Sequence, residues 1–385
     1  VPRIPFNRPQ LVGSEHAYID QALVSGQLSG NGQFCQRCAE WLKQRLGARR
    51  VLMVPSCTAG LEMAALLAEL GPGDEVIVPS FTFVSVANAF ALQGALPVFV
   101  DVRPDTLNLS ADAVADAITD RTKAIVVVHY GGVAADMESI MELAERHGLM
   151  VIEDAAHALP ASYRGRPLGS LGHLATFSFH ETKNVHCGEG GALAINLDSL
   201  VERAEIIQEK GTDRTRFFRG EVDKYTWRDI GSSYLLSDLS AAFLWAQLER
   251  TDEITSRRRA IWHRYHEAFE PLENAGLIRR PIVPDGRVHS AHVYYVLVPE
   301  PDERDALIAG LAERGVQAVF HYVPLHDSPA GRRLGRPSGA LPVSTDVAAR
   351  LVRLPLWIGL RHEDVDTVIE ATRACVASLI TPAHA

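Results

Sequence analysis

Lysine is scarce in this chain: Lys43, Lys123, Lys183, Lys210 and Lys224 are the only ones, beside abundant arginine. Lys183 stands apart from the rest. It follows the apolar Phe177-Ser-Phe179 run and precedes the Gly188-Glu-Gly-Gly191 turn, which places it at the edge of a sheet. An amine held there can form an imine with a carbonyl compound, provided burial or a neighbouring charge lowers its ammonium pKa. A plain surface lysine describes Lys43, Lys123 and Lys210 better. The glycines of the 188–191 turn need no catalytic role, since a tight backbone path alone accounts for them.

Two further segments carry chemistry. Val151-Ile-Glu-Asp-Ala-Ala-His157 reads as a buried strand delivering Asp154 to its C-terminal end, where open α/β sheets bind ligands. A carboxylate in that position can hold a protonated pyridine nitrogen, or it can cap the next helix. Pro55-Ser-Cys-Thr-Ala-Gly60 lies between a strand and a helix. Small residues there leave backbone N–H groups open to a phosphate, although many strand-to-helix turns look similar.

Such residues need a scaffold. Near-continuous apolar runs at residues 51–54, 75–78, 97–100, 124–128 and 150–152 read as strands covered on both faces. Leu174–Phe179 and Ala192–Ile195 add two more. Ala59–Leu70 and Ile140–His147 have helical spacing and end at Gly71 and Gly148. The alternation predicts an α/β domain with a mainly parallel sheet. Beyond Ser237, one long helix is expected over Asp238–Tyr265. A strand at Val293–Val298, a helix at Glu303–Arg314, a strand near Val316–Phe320 and a closing helix at Glu363–Leu379 should follow. That predicts a large domain over residues 1–254 and a smaller α+β domain over 255–385.

Bulk properties exclude several classes. A net charge of −9 argues against nucleic-acid binding, and an anionic substrate would need a locally positive pocket. No apolar stretch is long enough for a membrane span, and the Val1-Pro-Arg-Ile-Pro-Phe-Asn7 start lacks the apolar run of a signal peptide. Five cysteines in an odd set suit a reducing, cytoplasmic compartment. Cys35-Gln-Arg-Cys38 is formally C-x-x-C, but with no second pair or His cluster no metal site is expected.

Taken in chain order, phosphate loop, acid, lysine and glycine turn match what a pyridoxal-phosphate enzyme needs. The wording is more specific. Ser56-Cys-Thr-Ala59, Pro79-Ser-Phe-Thr-Phe83, Glu153-Asp-Ala-Ala-His157, Phe177-Ser-Phe-x-x-x-Lys183, Gly188-Glu-Gly-Gly191 and Ser237-Asp-Leu-Ser-Ala-Ala242 resemble the DegT/DnrJ/EryC1/StrS sugar aminotransferases. The similarity runs from Ile4-Pro-Phe-Asn7 to Tyr322-Val-Pro-Leu-His326. Ser178–Asn184, Phe217–Gly220 and Asp223–Tyr234 resemble the dTDP-4-amino-4,6-dideoxygalactose transaminases within that family.

The resemblance implies a pyridoxal-phosphate-dependent transferase of fold type I, aspartate-aminotransferase-like, working as a homodimer with shared active sites. It implies pyridoxal 5′-phosphate on Lys183, with Asp154 on the pyridine nitrogen and His157 near the 3′ oxygen. Ser178 and the backbone at Thr58 and Ala59 would hold the phosphate, and Phe83 would stack on the ring. Relatives place an Asn from the neighbouring subunit where Ser233 stands. Tyr225, Trp227, Arg228, Tyr322 and His326 would bind substrate. The implied reaction moves an amino group from L-glutamate to C4 of a dTDP-linked 4-keto-6-deoxyhexose. Transamination at C3 of a 3-keto sugar and a non-catalytic regulator on the same fold are the alternatives. A nicotinamide-dependent sugar enzyme would want G-x-G-x-x-G after the first strand, which Thr58-Ala-Gly-Leu61 does not supply. Lys183 also excludes the family's dehydratase branch, which has His in its place.

Overall fold

The computed structural model describes residues 3–379; the ends of the two expected domains, residues 1–2 and 380–385, lie outside them. Seven strands of the large domain form its sheet: β1 (Arg50–Val54), β2 (Glu75–Pro79), β3 (Leu96–Val100), β4 (Thr122–Val128), β5 (Met150–Asp154), β6 (Leu174–Ser178) and β7 (Gly191–Ile195). Their order is β1-β7-β6-β5-β4-β2-β3, and a short strand, Arg336–Pro337, joins the far edge beside β3. Neighbours from β6 to that edge strand run parallel, while β7 is antiparallel to both β6 and β1. This is the mainly parallel sheet of fold type I.

Alternation along each strand feeds two cores. Met53, Ile77, Val98, Ile125, Val127, Val151 and Phe177 enter the core on one face, with the helices Gln33–Leu46 and Asp238–Glu249. Val54, Val76, Val78, Val126, Val128, Ile152 and Leu193 enter the other, with the helix Cys57–Leu67. Each fully buried Val, Leu or Ile contributes about 1.5–3 kcal/mol by leaving water, which fixes strand register firmly. Cys35 and Cys38 sit within the first core, their thiols donating to Leu236 O and Ala241 O, and burial pushes Cys35 up to about 12.

The long helix expected over Asp238–Tyr265 is two helices, Asp238–Glu249 and Thr251–Asn274. Arg250, at φ −108° and ψ 12°, breaks the run, and Thr251 Oγ1 donates to Leu248 O. The second helix packs in a third core with Tyr294, Val296, Leu307, Leu311, Val352 and Val368. That core contains a two-stranded sheet, Tyr294–Leu297 against Leu351–Leu354. The strand expected near Val316–Phe320 makes only isolated bridges, Ile4 with Val316 and Val319 with Arg353. Ile4 is thus a member of the third core, and the N-terminal arm belongs with the smaller unit in packing. We propose the division expected near residue 254 with that amendment.

The edge strand binds the two units together. Glu75, fully buried at the start of β2, accepts Thr119 Oγ1 at 2.8 Å and Arg336 Nη2 at 3.0 Å on each oxygen, and pairs with Arg121. Burial alone pushes its carboxyl up, but those partners outweigh it and hold it below the ordinary range. No helix among the described residues is long and apolar enough to cross a membrane.

Candidate active site

The C-terminal ends of the central strands open into a cavity of about 760 Å³. Its wall includes Thr58, Phe83, Asp154, His157, Ser178, Lys183 and Tyr322, so seven residues singled out in the sequence meet in one place.

The strand β5 alternates its last two carboxylates to opposite faces. Glu153 turns inward, where it accepts N–H groups from Gly169, Leu171 and Gly172 and contacts His129 Nε2 at 2.9 Å. Asp154 faces the cavity. Its Oδ1 accepts the Ala156 N–H at 3.0 Å and lies 3.9 Å from the Cys57 thiol, while Oδ2 has no partner among the described residues. Burial pushes the Asp154 carboxyl up, against the pull of the Ala156 N–H and the Lys183 charge. A cationic ring nitrogen placed at the free oxygen would reverse that shift.

Lys183 is carried on the loop between β6 and β7, which is closed by hydrogen bonds from Glu181 N to Gly188 O and from Cys187 N to Phe179 O. Gly188 takes φ +81° at the turn, a conformation that glycine accepts freely. Burial lowers the Lys183 ammonium from its ordinary value, with Asp154 opposing. The lowered value favours the free amine that an imine-forming lysine needs.

The phosphate-type turn is built around Ser56, which caps the helix Cys57–Leu67 by accepting the Ala59 N–H at 3.1 Å. Ala59, expected to offer its N–H to a phosphate, is therefore already engaged. The N–H groups of Cys57 and Thr58 are the first two of the helix and have no intrahelical acceptor, so they and the positive end of the helix dipole face a ligand. Gly191 lets β7 pass beneath this turn. A Cβ there would fall 2.4 Å from Ser56 C and 2.6 Å from Cys57 N. Thr58 Oγ1 and Ser85 Oγ lie 2.8 Å apart on the same wall, near Ser178.

His157 lies on the cavity floor, its Nδ1 accepting the Gly131 N–H at 3.3 Å. Burial, with Lys183 and Arg353 nearby, drives its pKa well below the ordinary histidine value. Phe83 remains half open, and Tyr322 stands 6.4 Å from it, ring to ring.

Other expected residues do not reach this cavity. Tyr225 and Trp227 are 50% and 82% exposed, and Arg228 pairs with Asp213 at 2.6 Å. Ser233 is exposed on a bridge to Glu209. His326 holds Ser80 Oγ through Nδ1 at 2.6 Å and is not part of the cavity wall. Conversely, the wall includes residues to which the sequence reading gave no role: Phe6 and Cys57, inside quoted motifs, and Arg258, His292, His321 and Arg353, outside them. Most come from the smaller unit or the N-terminal arm. His321 was adjacent to a quoted motif, whereas Arg258 and Arg353 carried no signal beyond being arginines. Arg258 donates to Ala291 O and His292 O, and Arg353 to Phe320 O with its guanidinium over the Phe6 ring at 4.8 Å. Neither has a carboxylate partner among the described residues, so they bring two unpaired guanidinium groups to a wall that also holds Asp154 and Glu189.

Comparison with known proteins bears on this geometry. The sequence pattern of the DegT/DnrJ/EryC1/StrS aminotransferase family matches residues 9–373. The chain is 35% identical over 381 residues to the spore coat polysaccharide biosynthesis protein SpsC of Bacillus subtilis (strain 168), covering 97% of each. Among solved structures it is similar to the aminotransferase TlmJ from Streptoalloteichus hindustanus, at 36% identity and a TM-score of 0.90, covering 98% of this chain and 100% of that one. It is also similar to the PLP-form of the putative sugar aminotransferase Spr1654 from Streptococcus pneumoniae, at 27% identity and a TM-score of 0.89, over 98% and 100% of the two chains.

Proposed function

Since the chain belongs to the DegT/DnrJ/EryC1/StrS aminotransferase family and is a sugar aminotransferase using pyridoxal phosphate, we propose that its acceptor is a dTDP-4-keto-6-deoxyhexose, aminated at C4. L-Glutamate is the proposed donor. The exchange balances without an external oxidant or reductant: the donor becomes a 2-keto acid and the sugar carbonyl becomes an amine. The observation that carries the reading is the meeting of Lys183, the free Oδ2 of Asp154 and the open helix start at Cys57 around one cavity that Arg258 and Arg353 also line.

These residues fit the cofactor. Bound pyridoxal phosphate supplies an aldehyde that forms an imine with an amine and a ring that stores electrons when protonated. Asp154 holds the proton on the ring nitrogen. The Lys183 amine, its ammonium pKa lowered by burial, would attach the cofactor and then move a proton at the substrate carbon. The Cys57 and Thr58 N–H groups and the Ser178 hydroxyl orient the phosphate. Phe83 would stack on the ring, and His157 would donate to the 3′ oxygen. Arg258 and Arg353 supply the positive charge that an anionic nucleotide sugar and an amino-acid donor require.

The same reading makes the enzyme a homodimer. Trp227, Phe218, Ile230 and Tyr225 are an exposed apolar group on one segment, the kind of surface that marks an interface. In the dimer this segment, with Arg228 and Ser233, would complete the partner's site. Five free cysteines support a reducing, cytoplasmic setting.

Incubation with dTDP-4-keto-6-deoxyglucose and L-glutamate, followed by NMR of the product, tests the assignment. The expected product carries nitrogen at C4. Nitrogen at C3, or turnover only with a 3-keto sugar, would move the assignment to the alternative regiochemistry.

A further inference from the structure

Beside the proposed cofactor contacts lies an imidazole that those contacts do not use. His292 lines the cavity and stacks on His157 with ring centroids 4.0 Å apart and planes 27° apart. It comes from the smaller unit, on the short segment that leads into Tyr294–Leu297. That segment is tied down at every residue. Arg259 donates to His289 O, Ser290 Oγ donates to His157 O at 2.6 Å, and Arg258 donates to Ala291 O and His292 O. Ala291 takes φ +52°, a left-handed conformation that alanine rarely adopts, so the path is held by these contacts.

The fourth tie comes from Asn184, the residue after Lys183. Its Nδ2 donates to Ser290 O at 2.8 Å, and its Oδ1 lies 3.0 Å from His292 Nδ1. A carbonyl only accepts, so the Ser290 contact fixes which way the Asn184 amide points. Oδ1 must then accept from His292, and the His292 proton sits on Nδ1. On His157 the logic runs the other way. The Gly131 N–H occupies Nδ1, so the proton of the neutral ring sits on Nε2. Around the stacked pair stand Lys183, Arg258, Arg353 and His321, with Asp154 the acid beyond Lys183. Burial first, and then the charges of Arg258 and Arg353, keep the two stacked imidazoles neutral.

We propose that His292 is a positioning residue for the transamination: held by Asn184, it braces the His157 ring and keeps its Nε2–H aimed as a donor. The proposal rests on the reading above that His157 serves the cofactor's 3′ oxygen. It also assigns Asn184 a task, since one side chain links the lysine-bearing loop to the brace from the other unit.

The test uses the visible band of the lysine-bound cofactor, titrated with pH, in the full-length protein. A donor to the 3′ oxygen favours its charged form, so losing the donor raises the midpoint. His157→Ala should raise it by about one pH unit. His292→Ala should raise it by a similar amount, and the double variant should match His157→Ala alone. A second readout needs no cofactor. In the cofactor-free protein, the 15N NMR signals assigned to His157 through their loss in His157→Gln should show the Nε2-protonated tautomer from pH 6 to 8. In His292→Ala they should show mixed tautomers or titration. If His157→Ala leaves the midpoint unmoved, the reading of His157 fails and this inference with it. If His157→Ala moves the midpoint and His292→Ala moves neither readout, the inference alone falls. Should His292→Ala not yield folded protein, His292→Phe decides: it keeps a ring against His157 but cannot donate to Asn184. A midpoint unchanged in that variant overturns the proposal, and a partial rise supports it.

Discussion

The cleft around Lys183 and the segment Lys224–Ser233 are both rich in residues that chemistry can use, yet the fold treats them oppositely. In the cleft, Asp154, Lys183 and His157 are enclosed, and their charge states are shifted by burial and by one another. On the segment, Trp227 and Tyr225 project outward and Arg228 is paired with Asp213. Shifted groups gathered at fixed positions mark a functional site. Exposed aromatics on one segment are the kind of surface that marks an interface. On the proposed reading, catalytic power and completeness of the site are separable.

The most severe way to probe that separation is Lys183→Ala. Activity should fall by at least about 10⁴-fold, because both attachment and proton transfer are lost. Borohydride reduction of the wild type should label Lys183 and no other lysine. Asp154→Asn should follow, with kcat reduced on the order of 10²–10³-fold and cofactor affinity little changed, since the phosphate contacts remain. Near-normal kcat in that variant would make Asp154 structural.

Next comes the segment. Arg228→Ala with Ser233→Ala should reduce activity by about 10- to 100-fold, corresponding to one or two lost polar contacts. Mixing that subunit with Lys183→Ala subunits should restore activity, because one site of a mixed dimer then carries neither lesion. Confirmed heterodimers without regained activity would place the segment in its own subunit's service.

Two smaller effects stay within the cleft. Gly191→Ala should weaken cofactor binding by roughly tenfold, since its methyl would push on the Ser56–Cys57 turn that presents the phosphate donors. Fluorescence titration of the cofactor-free protein measures this directly. The last concerns pH. His157, His292 and His321 all have folded pKa values well below 6.5, so the fold favours their neutral forms. Their contribution to stability is complete above pH 6.5 and is lost as pH falls below it. Each group should cost up to about 1.4 kcal/mol per pH unit over that fall. Urea midpoints of the cofactor-free protein at pH 7.5 and 5.5 should show the drop, and His321→Phe should blunt it.

The contrast between cleft and segment also explains what the sequence made legible. The seven sheet strands were readable because both their faces are covered, so most residues in them are apolar. Asp154 and Lys183 stood out for the same reason, as polar residues at the ends of apolar runs. The break at Arg250 was not readable: the residues on both sides form good helix, and only the backbone angles there reveal two axes. Arg353 was hidden differently. It lies within the short strand Leu351–Leu354, and its place depends on Phe6 and Phe320 coming near it, contacts far apart in the chain. Ala59 was expected to donate to a ligand, and the Ser56 cap claimed it first, a competition between two uses of one N–H.

The two-residue strand Arg336–Pro337 has a mechanical consequence. By hydrogen-bonding to β3 and seating Arg336 on the buried Glu75, it rivets the smaller unit to the rim of the larger. A hinge that swung one whole unit away from the other would have to pull out that rivet and leave the buried Glu75 with Thr119 and Arg121 as its remaining partners. The cavity wall accordingly draws one ring from each part that the rivet and the arm hold in place: Phe83 from the larger unit, Phe320 from the smaller, and Phe6 from the arm, whose N–H donates to Gln317 Oε1.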